Sequence, residues 1–172
     1  MRCINIKNVE FILITEEILQ DIKNEGFIQS SVVDETTEVK TVLQDIAERT
    51  NIEKVRRELD LAVSELIDAL YPFTRDIQEF PLQASTDRYT ETEVYRISLR
   101  LPHDFAQVSI DLMKKLCHEY AKARCMQEFT RVVLPQMSES WQIKSGELLQ
   151  QLDRVKNRRI AGCRRGRGTV ML

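Results

Sequence analysis

The chain has 172 residues, of which 42% are hydrophobic, 30% charged and 6% aromatic, with a formal net charge of −2. With 5 glycines and 4 prolines it is neither collagen-like nor low-complexity, and no apolar run approaches the ~18 residues of a membrane-spanning helix. At this length a single domain is the prior, able to bury roughly 70% of its unfolded surface without a disulfide or metal staple.

The charge total hides a split. Residues 154–172 carry Arg154, Lys156, Arg158, Arg159, Arg164, Arg165 and Arg167 and no acid, a net of +7. The other 153 residues hold 18 basic and 27 acidic side chains, a net of −9. Such asymmetry suggests an electrostatic partner for the basic end.

The opening MRCINIKNVEFILIT lacks the pattern of a signal peptide, because its apolar run 11–14 is short and follows Glu10. Residues 2–14 read as extended. Val9, Phe11 and Leu13 alternate with Glu10 and its neighbours, and Lys7-Asn8 offers a turn in mid-segment. Thr15 is the expected N-cap of a first helix, with Glu16 and Glu17 suited to the helix dipole and Gly26 as its close. Residues 27–36 read as a polar connection. A second helix is expected over 37–50 from the spacing of Val39, Val42, Leu43, Ile46 and Ala47. A third runs from 51 to Pro72, with Val55, Leu59, Ala62, Val63 and Leu66 among its apolar face.

Residues 73–92 read as a long polar loop. The clearest strand follows, where Tyr95, Ile97, Leu99 and Leu101 alternate with Arg96, Ser98 and Arg100. A lone strand is not stable, so its mate is residues 2–14, residues 76–83 or another subunit. Pro102 then opens a long helix over 103–133, and Pro135 breaks it. A last helix over 138–159 turns Trp141, Leu148, Leu149, Leu152 and Val155 inward, and Gly162, Gly166 and Gly168 end the order.

Little in this pattern carries reaction chemistry. Cys3, Cys117, Cys125 and Cys163 read as free thiols of a reducing compartment. On one helix Cys117 and Cys125 would lie ~12 Å apart, beyond disulfide reach. His118-Glu119 begins the zinc motif H-E-x-x-H, but Lys122 stands where the second histidine is needed. His103 beside Asp104 lacks a nucleophile in a glycine elbow. The glycines at 162–168 have neither dinucleotide nor P-loop spacing. No catalytic residue, metal or cofactor is therefore expected.

The arginine- and glycine-rich end is the strongest single signal. It can follow a nucleic-acid backbone by counterion release or dock on an acidic protein surface through Arg–carboxylate pairs. With no aromatic residue it offers no base stacking.

The order of elements carries a resemblance. An amphipathic helix ends in VSELIDALYPFT (63–74), an irregular segment follows, and a strand runs straight into a helix in YRISLRLPHDF (95–105). Two helices around a lone tryptophan and a basic tail complete the chain. This layout, over about residues 50–160, resembles the head–tail connector (adaptor, neck) structural proteins of tailed bacteriophages and Mu-like prophages. The resemblance implies a non-enzymatic subunit of a homo-oligomeric ring of about a dozen copies. It would be assembled in the host cytoplasm into the virion, between portal and tail or neck proteins and close to DNA, with no membrane and no small-molecule substrate. On this sequence the basic residues 154–167 would form the reaching arm. Phe73, Phe80, Tyr89, Tyr95, Ile97, Leu99 and Trp141 would be the candidate subunit contacts. The alternative is a nucleic-acid-associated regulator or packaging accessory using the same tail.

The expected architecture is mainly α, about five helices with one short β element at 94–101. Residues 1–157 form one domain with the loop at 73–92, and 158–172 form the basic tail.

Overall fold

The computed structural model describes residues 6–32, 37–46, 51–74 and 94–158, apart from the side chains at 37, 38, 132 and 133. Its elements run β1 (Ile6–Ile14), α1 (Thr15–Val32), α2 (Thr37–Gln44), α3 (Ile52–Ala69), β2 (Val94–Pro102), α4 (Gln107–Val133) and α5 (Pro135–Lys156). Five helices and a two-stranded antiparallel sheet therefore make up the described residues, a mainly helical fold with a small β element.

The mate of β2 is the early extended segment. Ile6 pairs with Pro102 and Ile14 with Val94, in continuous register. Lys7 and Asn8 lie inside β1 rather than in a turn. The inner sheet face carries Phe11, Leu13, Tyr95, Ile97, Leu99 and Leu101, all buried, and packs against the helices. Alternation alone accounts for this, since burying one face of a strand fixes its register to within two residues.

The hydrogen-bond phase of the ribbon can also be read. The Arg100 N–H donates to the Phe73 carbonyl at 2.9 Å and so points away from β1. Asn8↔Arg100 is then a non-hydrogen-bonded pair, and so is every second pair from it. Pro102, opposite Ile6, falls in the same class, so its missing N–H removes no ladder bond. On β1 the backbone groups of Ile6, Asn8, Glu10, Ile12 and Ile14 consequently face away from β2. No backbone bond joins that far edge to another described residue.

Three boundaries differ from the sequence reading. Helix α1 does not close at Gly26 but continues through the expected polar connection to Val32. Gly26 is buried inside it because α2 crosses there: a Cβ on residue 26 would lie 2.4 Å from the Leu43 carbonyl oxygen. Pro102 ends β2 instead of opening α4, which starts at Gln107, so His103 and Asp104 occupy the intervening turn. Pro135 both ends one helix and opens the next, where its absent N–H costs no helical bond.

Helices α4 and α5 form an antiparallel pair, α3 packs on α4, and α1 lies against α4 near its middle. The core joins the inner sheet face to Ile18, Ile22, Leu59, Leu66, Met113, Met126 and their neighbours. Helix α3 leaves its core face through a tight turn that includes a cis Tyr71-Pro72 bond and ends at Thr74, whose hydroxyl donates to the Ile67 carbonyl. No helix among the described residues is long and apolar enough to cross a membrane.

Candidate functional site

The basic residues at the end of α5 fall into two groups. Lys156 is committed internally. Its ammonium donates to the Ala69 carbonyl at 2.8 Å and the Tyr71 carbonyl at 3.3 Å, and pairs with Asp153 at 2.9 Å. A cation on the final carbonyls of α3 satisfies acceptors that a helix end leaves open and complements its dipole. The Lys156 hydrogen bond, and its charge, hold the exposed Asp153 carboxyl below its ordinary range. Lys156 is thus a clamp between α5 and α3. Arg154 and Arg158 are exposed. Arg159, Arg164, Arg165 and Arg167 lie outside the described residues.

The candidate subunit contacts that are described lie in or against the core. Tyr95, Ile97 and Leu99 are on the inner sheet face, at 7%, 0% and 1% exposure, so they form core and not surface. The reason is the pairing of β2 with β1, which turns that face onto the helices. Trp141 is likewise buried at 4%, with the Lys144 ammonium 4.4 Å from its ring centroid. Its indole N–H has no hydrogen-bond partner among the described residues. Phe73 packs partly buried against the core, edge-to-face with Phe105 at 5.9 Å between centroids. Phe80 and Tyr89 lie outside the described residues.

A surface the alternation pattern did not mark is the outward side of the sheet. Ile6, Ile12, Ile14 and Val94 stand exposed there, and Glu10 pairs with Arg96 at 3.6 Å. The signal was present in β1, where isoleucines occupy the solvent-side positions of an otherwise alternating strand. That β1 is an edge of the sheet among the described residues could not be known until its partner was.

Polar groups inside the helical layer form ties. The Tyr120 hydroxyl donates to Glu65 at 2.5 Å, and Arg124 lies 3.4 Å from the same carboxylate. Arg124 also pairs with Glu128 at 2.8 Å, which in turn meets Arg131 at 3.2 Å. The Tyr95 hydroxyl donates to Asp60. Burial, then the hydrogen bond to Glu65 and its charge, raises the Tyr120 phenol despite Arg124, so it remains a donor. Burial works against the charge on Arg124, but the hydrogen bond to Glu128 and the two carboxylates raise its pKa overall. The spacing of Arg124 and Glu128 was legible as an i, i+4 pair, whereas Glu65 joins only through the packing of α3 on α4.

The groups considered for catalysis are separated. His103 is exposed in its turn, and His118 is held by Asp21 of α1 at 2.9 Å. Among the described residues no three His, Cys, Asp or Glu side chains are placed to hold one metal ion. Cys117 and Cys125 are buried, and burial pushes each thiol from its ordinary 9.0 up to about 12. Native protein treated with iodoacetamide at pH 8 should therefore be unmodified at both positions, and denatured protein modified at both, as peptide mass spectrometry would read. Thiolates form in the unfolded chain above pH 9 but are resisted in the fold, so this contribution to stability erodes between pH 9 and 12.

In comparison with known proteins, no family model matches the chain, and neither a curated protein nor a solved structure matches it significantly.

Proposed function

We propose that the protein is a non-enzymatic assembly subunit that engages a neighbouring protein through its arginine arm. Following the resemblance in element order, its specific role is that of a head–tail connector or neck subunit of a phage-like particle. The observation that carries the reading is the concentration of seven basic and no acidic residues over 154–172, beginning in the last turn of α5. The Lys156 clamp fixes the point from which this arm departs, with Arg154 and Arg158 exposed beside it. An acidic neighbour is the natural target of such an arm, since guanidinium groups form paired hydrogen bonds with carboxylates.

Quantitative mass spectrometry of purified particles tests the reading. About a dozen copies per particle are expected, and deletion of residues 158–172 should abolish assembly while free nucleic-acid binding stays negligible. Absence from particles would overturn it. Nucleic-acid binding that falls steeply with salt and disappears on the same deletion would instead support the regulator reading.

A further inference from the structure

Among the described residues the far edge of β1 has no strand beside it. Its outward backbone groups belong to five consecutive even-numbered residues, and no proline or bulge blunts it. Exposed, unblunted edges are pairing sites, and an extended segment adds to one through main-chain hydrogen bonds, with side chains setting register. What fits this edge can be read from its two faces. The inner face lies over the helical layer, where Phe11 is buried. The outer face offers Ile6, Ile12 and Glu10, whose carboxylate keeps capacity for a second guanidinium besides Arg96.

The arm has a matching alternation. Over residues 165–171 it reads Arg-Gly-Arg-Gly-Thr-Val-Met. Laid antiparallel to β1 with Arg167 opposite Glu10, it sets Met171 opposite Ile6, Thr169 opposite Asn8 and Arg165 opposite Ile12, all on the outer face. Gly166, Gly168 and Val170 then fall on the inner face, opposite Phe11, Val9 and Lys7. The opposite facing would turn both arginines toward the apolar side of the sheet and away from Glu10. Every arm residue that must exchange bonds with β1 has an N–H to give.

The arm departs on the other side of the sheet. Lys156 holds the end of α5 to Ala69 and Tyr71, and Phe73, two residues on, bonds to the outer edge of β2. The acceptor edge belongs to β1. We infer that the arm of one copy adds as a strand to the β1 edge of a second copy, in the register Arg167–Glu10. This rests on the reading of the arm as a partner-binding element. Such a contact is head-to-tail, the kind that generates rings when its rotation closes.

Sedimentation of the full chain at several concentrations, with Glu10→Arg, Arg167→Glu and their equimolar mixture, tests this. The unmodified chain should sediment above its one-copy mass of 20.1 kDa. Each variant should self-associate about tenfold more weakly, because it sets like charges opposite one another. The mixture should regain association, since every edge then finds an arm of opposite charge. Three results would each overturn the inference: an unmodified chain at one-copy mass, variants that associate as it does, or a mixture that stays dissociated. The last would place the arm on its own copy. Loss of particles on arm deletion with a one-copy free chain would retain the proposed function and discard this contact. Edge-dependent self-association with particles unaffected by that deletion would do the reverse.

Discussion

Replacing Gly26 with alanine is expected to destabilise the protein by about 1–3 kcal/mol, although the same change in an isolated helix would stabilise it. Alanine gains up to about 1 kcal/mol over glycine in helix propensity. At this position the new methyl would lie 2.4 Å from the Leu43 carbonyl oxygen and 2.9 Å from Ile46 Cγ2. The isoleucine methyl can move with its side chain, but the carbonyl belongs to the backbone of α2, so the two helices must separate. Separation would loosen Leu43 and Ile46, both fully buried. Glycine at 146 is the control, because a Cβ there meets nothing within 4 Å. Gly146→Ala should be neutral or stabilising. Urea unfolding of both variants measures the difference, and a Gly26→Ala midpoint at or above that of the parent would refute the close crossing.

Trp141→Ala should cost more, about 3–5 kcal/mol, the range for removing a large buried aromatic side chain. Trp141 lies on α5 at 4% exposure within the core cluster. Its truncation also removes the ring beneath the Lys144 ammonium. Trp141→Phe should be milder. It keeps a ring, and it deletes an indole N–H that has no partner among the described residues, so no hydrogen bond is lost with it. The pair separates a core residue from a subunit contact. A core residue shifts the unfolding midpoint in the order alanine, phenylalanine, tryptophan. A contact would leave that midpoint in place and weaken association instead.

The helices were legible where a stripe of apolar residues was long and bounded, as in α3, whose face from Val55 to Leu66 is buried. Alternation likewise exposed β2. What sequence could not supply was contact between distant segments. Glycine after a polar run is a reasonable helix stop, and only the approach of α2 reveals Gly26 as a crossing point. Proline before a polar turn is a reasonable helix start, and only pairing with Ile6 makes Pro102 the end of a strand. The basic arm was visible as composition. That Lys156 is tied to the end of α3 depends on carbonyls 85 and 87 residues away in the chain.

The Lys156 clamp also determines how the molecule would carry tension. A helix pulled by its end unravels from the last turn, where carbonyls have no helical partners. Here that turn is held by Lys156 to Ala69 and Tyr71, and by the buried side chains of Leu152 and Val155. Force applied at Arg158 would pass into the end of α3 and its turn, then through the Phe73–Arg100 bond into β2, and across the ladder to β1. The pull on an arm and the grip of an edge would thus meet within one copy, as successive links share the load in a chain.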